Sequence, residues 1–356
     1  MKNNLYSILL LLLGTAIVTG CETDISTSVG APPDAGSADF SVFVAVGDSL
    51  TAGYADSALY LHGQENSYPA ILAQSFAEAG GGAFDQPLMP EGATGSLTVG
   101  AAPVPGVADR LVLTGTGTTD SLSPVPIAPT QSTEILPALS GSFNNMGVPG
   151  AKSYHVGAAG YGNPAGLGVS ANPFFVRFAS STTTSMAADA AVQASTFFIL
   201  WIGNNDVLSY ATSGGVGVQG AGAPPYGDND ITDPAVFPAI YNGILAAINT
   251  VNNKGVLINI PDVTTIPYFT SVPFNAVPLD AATAGVLNTN FALYNGGVSS
   301  LVGIDCGDGV LSTEEAAARQ VVFQEGSNAI LIDDEDLTDL TGCNAALTNM
   351  RQATAV

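Results

Sequence analysis

Three short strings in this sequence set a nucleophile or an amide donor beside glycine. They are Gly47-Asp48-Ser49-Leu50-Thr51, Asn145-Met146-Gly147-Val148-Pro149-Gly150 and Gly203-Asn204-Asn205-Asp206. A serine at a strand-to-helix turn exposes its hydroxyl and holds its own backbone N–H at a helix N-terminus, where it can stabilise an oxyanion. That combination suits acyl transfer through a covalent serine adduct. The turn is not the G-x-S-x-G elbow, because Val46 and Leu50 flank the Gly-Asp-Ser core differently. The chemistry also needs a base, and the chain carries only two histidines, His62 and His155.

Such strings act only if rigid elements hold them, and the hydrophobic pattern supplies those elements. Ser41 to Val46 is a short continuous apolar run, which predicts a strand buried on both faces. A helical stretch over Tyr68 to Ala79 follows. Phe143 to Val148 predicts the next strand, and helical composition over Ser185 to Ala194 leads into the strongest strand, Thr196 to Ile202. A cap at Thr232 or Asp233 with Pro234 opens a helix whose apolar face is Phe237, Ile240, Tyr241, Ile244, Leu245 and Ile248. Val256 to Ile260 predicts another buried strand. Further helices are expected near Ala281–Tyr294 and Thr313–Phe323, with a short strand over Ala329–Ile332. Alternating strands and helices argue for an α/β fold with a parallel sheet and helices on both faces. Gly80 to Ser142, rich in Gly, Thr and Pro, reads as an insertion of loops and a small hairpin after the first strand–helix unit. In parallel sheets ligands bind beyond the strands' carboxyl ends, and each of the three strings closes an expected strand.

In this order and placement the three strings resemble the GDSL, or SGNH, hydrolase family, named for invariant Ser, Gly, Asn and His. Gly47 to Leu50 is similar to its first block. Asn145 to Gly150 is similar to its second, N-x-x-[VI]-x-G, and Gly203 to Asp206 to its third, G-x-N-D. The resemblance spans roughly Phe40 to Ile260, and the phrasing around the blocks is similar to surface lipoproteins of this family from Bacteroidetes-type bacteria. It implies a three-layer α/β/α, flavodoxin-like domain and a serine ester hydrolase without cofactor or metal. It assigns Ser49 as nucleophile, with the N–H groups of Ser49 and Gly150 and the Asn205 amide as oxyanion donors. Asp48 and Asp206 are expected to hold turn backbone. The substrate is an ester, whether an acetylated glycan, a lipid or a small molecule. No long apolar stripe in 80–142 suggests a lipase lid.

The family's fourth block, D-x-x-H, has no match. Leu59 stands three residues before His62 and Lys152 three before His155, and both histidines precede the third block. Two readings fit: a domain over 40–356 missing its catalytic Asp and His, or a non-catalytic, surface-anchored binding lipoprotein on a degenerate hydrolase scaffold. A third is a fortuitous match in an exported module. Taken singly, Ser49 and Asn205-Asp206 would be helix caps and His155 a helix histidine without a catalytic role. The stretch Asp308 to Glu315 resembles half of an EF-hand loop, but Ile304 and Cys306 fall where calcium needs oxygen ligands. It reads as a turn and cap, and Asp333 to Asp336 as a solvated acidic loop.

Seven basic against 30 acidic residues give a net charge of −23, which disfavours nucleic acid as a partner. At the N-terminus, Lys2 and the apolar run Leu5 to Ile17 form a targeting segment shorter than the roughly 20 residues of a membrane span. It ends in Val18-Thr19-Gly20-Cys21, similar to a bacterial lipobox, so 1–21 is expected to be a lipoprotein signal. A plain secretory signal with an incidental cysteine is the simpler alternative. Residues 22–39 then form a tether, and the protein is exported and membrane-anchored, at the periplasmic or the cell-surface face of the outer membrane. Cys306 and Cys343 either pair in that compartment or stay as separate buried thiols. No Cys/His spacing fits zinc. Metabolic labelling with a fatty acid should tag the wild type and not Cys21→Ser; equal labelling of both would remove the anchor.

Overall fold

A computed structural model of the chain describes residues 33–114, 123–249 and 253–354. The signal expected over 1–21, with Cys21, and the expected tether up to residue 32 lie outside the described residues. The rest divides into two compact units, one within Met1–Ile202 and Pro238–Ile258, the other within Gly203–Phe237 and Asn259–Val356.

The first unit is mixed α/β. Its centre is a parallel sheet of four strands, β1 (Phe43–Gly47), β2 (Asn145–Gly147), β3 (Phe197–Trp201) and β4 (Lys254–Leu257), in the order β2-β1-β3-β4. β1 is buried along its whole length, as its unbroken apolar run requires. Successive side chains point to opposite faces, and each face has its own apolar cluster. Phe43, Ala45 and Ile199 meet Tyr68, Leu72 and Phe76. Val44, Val46, Phe198 and Leu200 join Phe174, Phe175, Met186 and Ile244.

Six short helices follow β1 to β3: α1 (Ser49–Ala52), α2 (Leu61–Glu65), α3 (Tyr68–Glu78), α4 (Ser153–Val156), α5 (Pro173–Val176) and α6 (Met186–Ala191). α7 (Phe237–Ile248) precedes β4. The cap and Pro234 expected to open this helix instead make a turn before it, with Asp233 Oδ1 accepting from Ala235 N–H at 2.8 Å. β4 is an edge strand of the sheet, and where the sequence predicts a buried strand from Val256, Val256 and Leu257 are exposed on opposite faces because no strand pairs beyond them.

The segment read as an insertion contains an antiparallel hairpin, Leu111–Thr114 with Ser123–Pro126, and a small three-stranded sheet around Leu97–Val99. It is pinned at residues 87–89. Gln64 donates to Pro87 O at 3.0 Å and accepts from Met89 N–H at 2.6 Å, and the Arg177 guanidinium donates to the carbonyls of Pro87 and Leu88. Met89, Leu97 and Ile135 then fill the same core as the sheet.

The second unit packs around the helix Ala281–Ser300, capped by Asp280, whose carboxylate accepts from Thr283 N–H at 2.7 Å. Tyr294 and Val298 of that helix meet Leu311, Val321, Phe323, Leu340 and Leu347. The expected strand over Ala329–Ile332 is observed at Leu331–Asp333, paired antiparallel with Met350–Gln352 in a two-stranded sheet. The short apolar run predicts a strand but not its partner, because Met350-Arg351-Gln352 has no apolar run of its own. Ser312 caps the helix Thr313–Ala318. Burial pushes the Glu315 pKa up, but hydrogen bonds from Thr338 and Arg319 outweigh it and keep this carboxyl below the ordinary range. Cys306 and Cys343 are joined by a disulfide.

The disulfide spans 37 residues of sequence. On loop-closure grounds its loss should cost this unit about 4 kcal/mol. Denaturant unfolding of Cys306→Ala/Cys343→Ala against the oxidised wild type measures it; an unchanged midpoint would mean that unit gains nothing from the cross-link.

Candidate active site

Ser49 is the first residue of α1, directly beyond the carboxyl end of β1. Asp48 caps the helix, its Oδ1 accepting from Leu50 N–H at 3.0 Å, so this fully buried carboxylate holds the turn. The Ser49 N–H is one of the donors that a helix start leaves without an intrahelical partner. Its hydroxyl is half-buried and makes no hydrogen bond to any described residue.

Gly150 ends the turn that leaves β2. β1 and β2 are neighbours with Gly47 opposite Gly147, and Val148 N–H donates to Gly47 O at 3.0 Å. The strings carrying Ser49 and Gly150 therefore leave the sheet side by side, at the roughly 4.8 Å spacing of paired strands. Gly150 has φ +79°, is exposed, and its N–H meets no acceptor among the described residues. Two backbone donors and one hydroxyl thus lie at one sheet edge.

The placement depends on close approach. A Cβ on Gly147 would sit 2.2 Å from Ala52 N, and one on Gly47 would sit 2.1 Å from Thr51 Oγ1 and 2.4 Å from Trp201 O. α1 lies directly on the two strands, and only hydrogen at both positions allows it. Asn145 secures the contact. Its Nδ2 donates to Thr51 O at 2.9 Å and to Gln86 Oε1 at 3.0 Å, while its Oδ1 accepts from Gly147 N–H at 2.9 Å. From the other side Thr51 Oγ1 lies 3.0 Å from Tyr68 OH. Burial pushes the Tyr68 pKa up to about 12, so this phenol keeps its proton at neutral pH and can serve as the donor.

Asn205 belongs to the second unit, where it opens the helix Asn205–Thr212 four residues beyond the end of β3. Gly203 before it has φ +118° and no room for a Cβ against Ile260. Among the described residues no group of three or more His, Cys, Asp or Glu side chains could hold a metal ion, and no helix is long and apolar enough to cross a membrane.

Both histidines have an occupied Nδ1. In His155 it accepts from the backbone N–H of Lys152 at 3.0 Å, and the ring stacks on Tyr161 at 4.5 Å. In His62 it lies 3.1 Å from Asn66 Nδ2, an amide oriented by its second donation, to His62 O at 2.8 Å. A neutral imidazole whose Nδ1 accepts carries its proton on Nε2. A triad base needs the reverse, a free Nε2 lone pair with Nδ1–H held by a carboxylate. Neither ring is set up for that role.

Sequence reasoning left Asn145 without a role and passed over Asn172 altogether. The Asn172-Pro173 pair is a recognisable helix start, and Asn172 Oδ1 does cap α5 by accepting from Phe174 N–H at 2.9 Å. What the sequence does not signal is the other end of that amide, which donates to Pro149 O at 2.8 Å.

Compared with family models, with curated proteins and with solved structures, the chain matches none.

At a pH above imidazole titration, long-range ¹H–¹⁵N spectra should show both rings with Nε2 protonated and Nδ1 bare. An Nδ1–H form of His155 would instead make that ring a candidate base.

Proposed function

We propose that the chain is a serine ester hydrolase of the SGNH type, built on the three-layer α/β/α arrangement of that family. The observation that carries this reading is the side-by-side exit of Ser49 and Gly150 from paired strands, with a seryl hydroxyl and backbone N–H groups that no described residue occupies. Acyl transfer needs this pairing of nucleophile and anion donors. The reading takes Ser49 Oγ to attack an ester carbonyl. The oxyanion is then held by the N–H groups of Ser49 and Gly150, and the alcohol departs to leave an acyl-serine that water hydrolyses. Each such donor is worth roughly 2.7–4 kcal/mol in the transition state. Export with a lipid on Cys21 belongs to the same reading, which makes the partners an ester substrate and a membrane surface.

Neither described histidine is oriented to act as the general base. No D-x-x-H follows Gly203–Asp206, and the Nδ1 atoms of His62 and His155 are both acceptors. A serine without a base is a poor nucleophile at neutral pH. Slow hydrolysis is therefore expected, because oxyanion donors alone retain roughly 10³–10⁴-fold acceleration over water in a serine protease stripped of triad members. The second reading, a binding lipoprotein on a hydrolase scaffold, draws on the same two acceptor nitrogens.

Added imidazole separates the two. It should raise p-nitrophenyl acetate hydrolysis by the wild type, above the rate of imidazole alone, at least about tenfold more than in Ser49→Ala. Equal rates in both proteins would remove Ser49 as nucleophile and leave the binding reading.

A further inference from the structure

We infer that Asn172 is a positioning residue that sets the direction of the Gly150 N–H. This rests on the reading of Ser49 and Gly150 as nucleophile and oxyanion donor, and it names what aims that donor.

The carbonyl of Pro149 and the N–H of Gly150 belong to one peptide group. That bond is not among the cis peptides, so its C=O and N–H point in opposite directions. Whatever holds the oxygen therefore aims the hydrogen. Asn172 Nδ2 holds it at 2.8 Å. At Gly150 no side chain restrains the backbone and φ is +79°, so the plane of this peptide is otherwise free to turn over. A flipped peptide would offer a carbonyl to the developing anion in place of a donor.

The amide of Asn172 is itself fixed at every position. Its Oδ1 accepts from Phe174 N–H at 2.9 Å, and Nδ2 makes a second donation to Tyr161 OH at 3.1 Å. Tyr161 is buried, its ring stacked within 12° of parallel on His155. The chain of contacts runs from the α4 histidine through Tyr161 and Asn172 to one peptide plane. A hydrogen bond accepted at a carbonyl also polarises its peptide and strengthens the N–H at the other end.

Asn172→Asp is the informative substitution. The carboxylate keeps an oxygen for Phe174 N–H, so α5 stays capped, but it has no donor for Pro149 O and repels it. Pro–Gly occurs at two places in the chain, Pro105–Gly106 and Pro149–Gly150. Labelling with ¹³C′-proline and ¹⁵N-glycine therefore leaves two peptide signals, one of them an internal control. Phenylboronic acid is the probe: boron takes the seryl oxygen, the hydroxyl proton leaves to buffer, and a tetrahedral anion forms where the oxyanion would lie.

In the wild type the Gly150 signal should move on titration while Gly106 stays. In Asn172→Asp, affinity should fall about tenfold or more and the Gly150 response should vanish, with Gly106 unaltered. Equal affinity and an equal Gly150 shift in both proteins would overturn the role of Asn172 and leave the Ser49 reading intact. No response in the wild type would overturn both. A measurement on the wild type alone covers a variant that does not fold. The Pro149 carbonyl carbon should resonate downfield, as a hydrogen-bonded carbonyl does, and a solvent-like shift there would overturn the inference.

Discussion

Everything at the candidate site follows from one steric fact, the contact of the α1 backbone with the floor formed by Gly47 and Gly147. Paired strands normally keep a layer of side chains between themselves and any helix above. Here the two residues facing each other in register have none, and Ala52 N lies 2.2 Å from where the Cβ of residue 147 would be. Helix α1 is short, four residues, and could not hold itself by helical hydrogen bonding alone. It is held from below by the absence of two side chains and from the sides by Asn145, Tyr68 and the Asp48 cap. The rigidity of this turn thus comes from the sheet and not from the helix.

The same fact explains why polar side chains are buried so close to the sheet. Asn145 and Asp48 are buried, and the carbonyl of Thr51 needs a donor. Bringing backbone against backbone strands peptide groups away from water, and each must find a partner. Asn145 answers for Thr51 O and Gly147 N–H together, and Asn172 does the same for Pro149 O and Phe174 N–H. An amide side chain is the economical choice, because one group offers both a donor and an acceptor.

How far the sequence revealed this varies with the kind of signal. The strands at 43–47 and 197–201 were legible because a doubly covered parallel strand must be apolar throughout, and α3 because helical composition is a local signal. The strings at Ser49 and Gly150 were legible because glycine beside a polar residue at a strand end is a local pattern. Pairing is not local. Nothing near Leu331 announces Met350 as its neighbour, and nothing near Cys306 announces Cys343. Asn172 was hidden for the same reason: its cap is written in the Asn-Pro pair, whereas its bond to Pro149 spans 23 residues. The three-residue strand Asn145–Gly147 is shorter than its apolar surroundings suggested, since Asn145 turns inward to serve α1.

Arg177 has a mechanical consequence. Its guanidinium is buried in the first unit, and its charge is met there by the carbonyls of Pro87 and Leu88. Burial draws its pKa down to about 10, which still leaves it cationic at neutral pH. Swinging residues 87–89 outward would remove both carbonyls from a buried cation and break the two bonds to Gln64. Leaving a buried charge without its partners costs roughly 3–5 kcal/mol, enough to keep such an opening rare. This stretch of the chain behaves as masonry, not as a hinge. The segment thus fixes where the loops of residues 80–142 meet the core of the first unit.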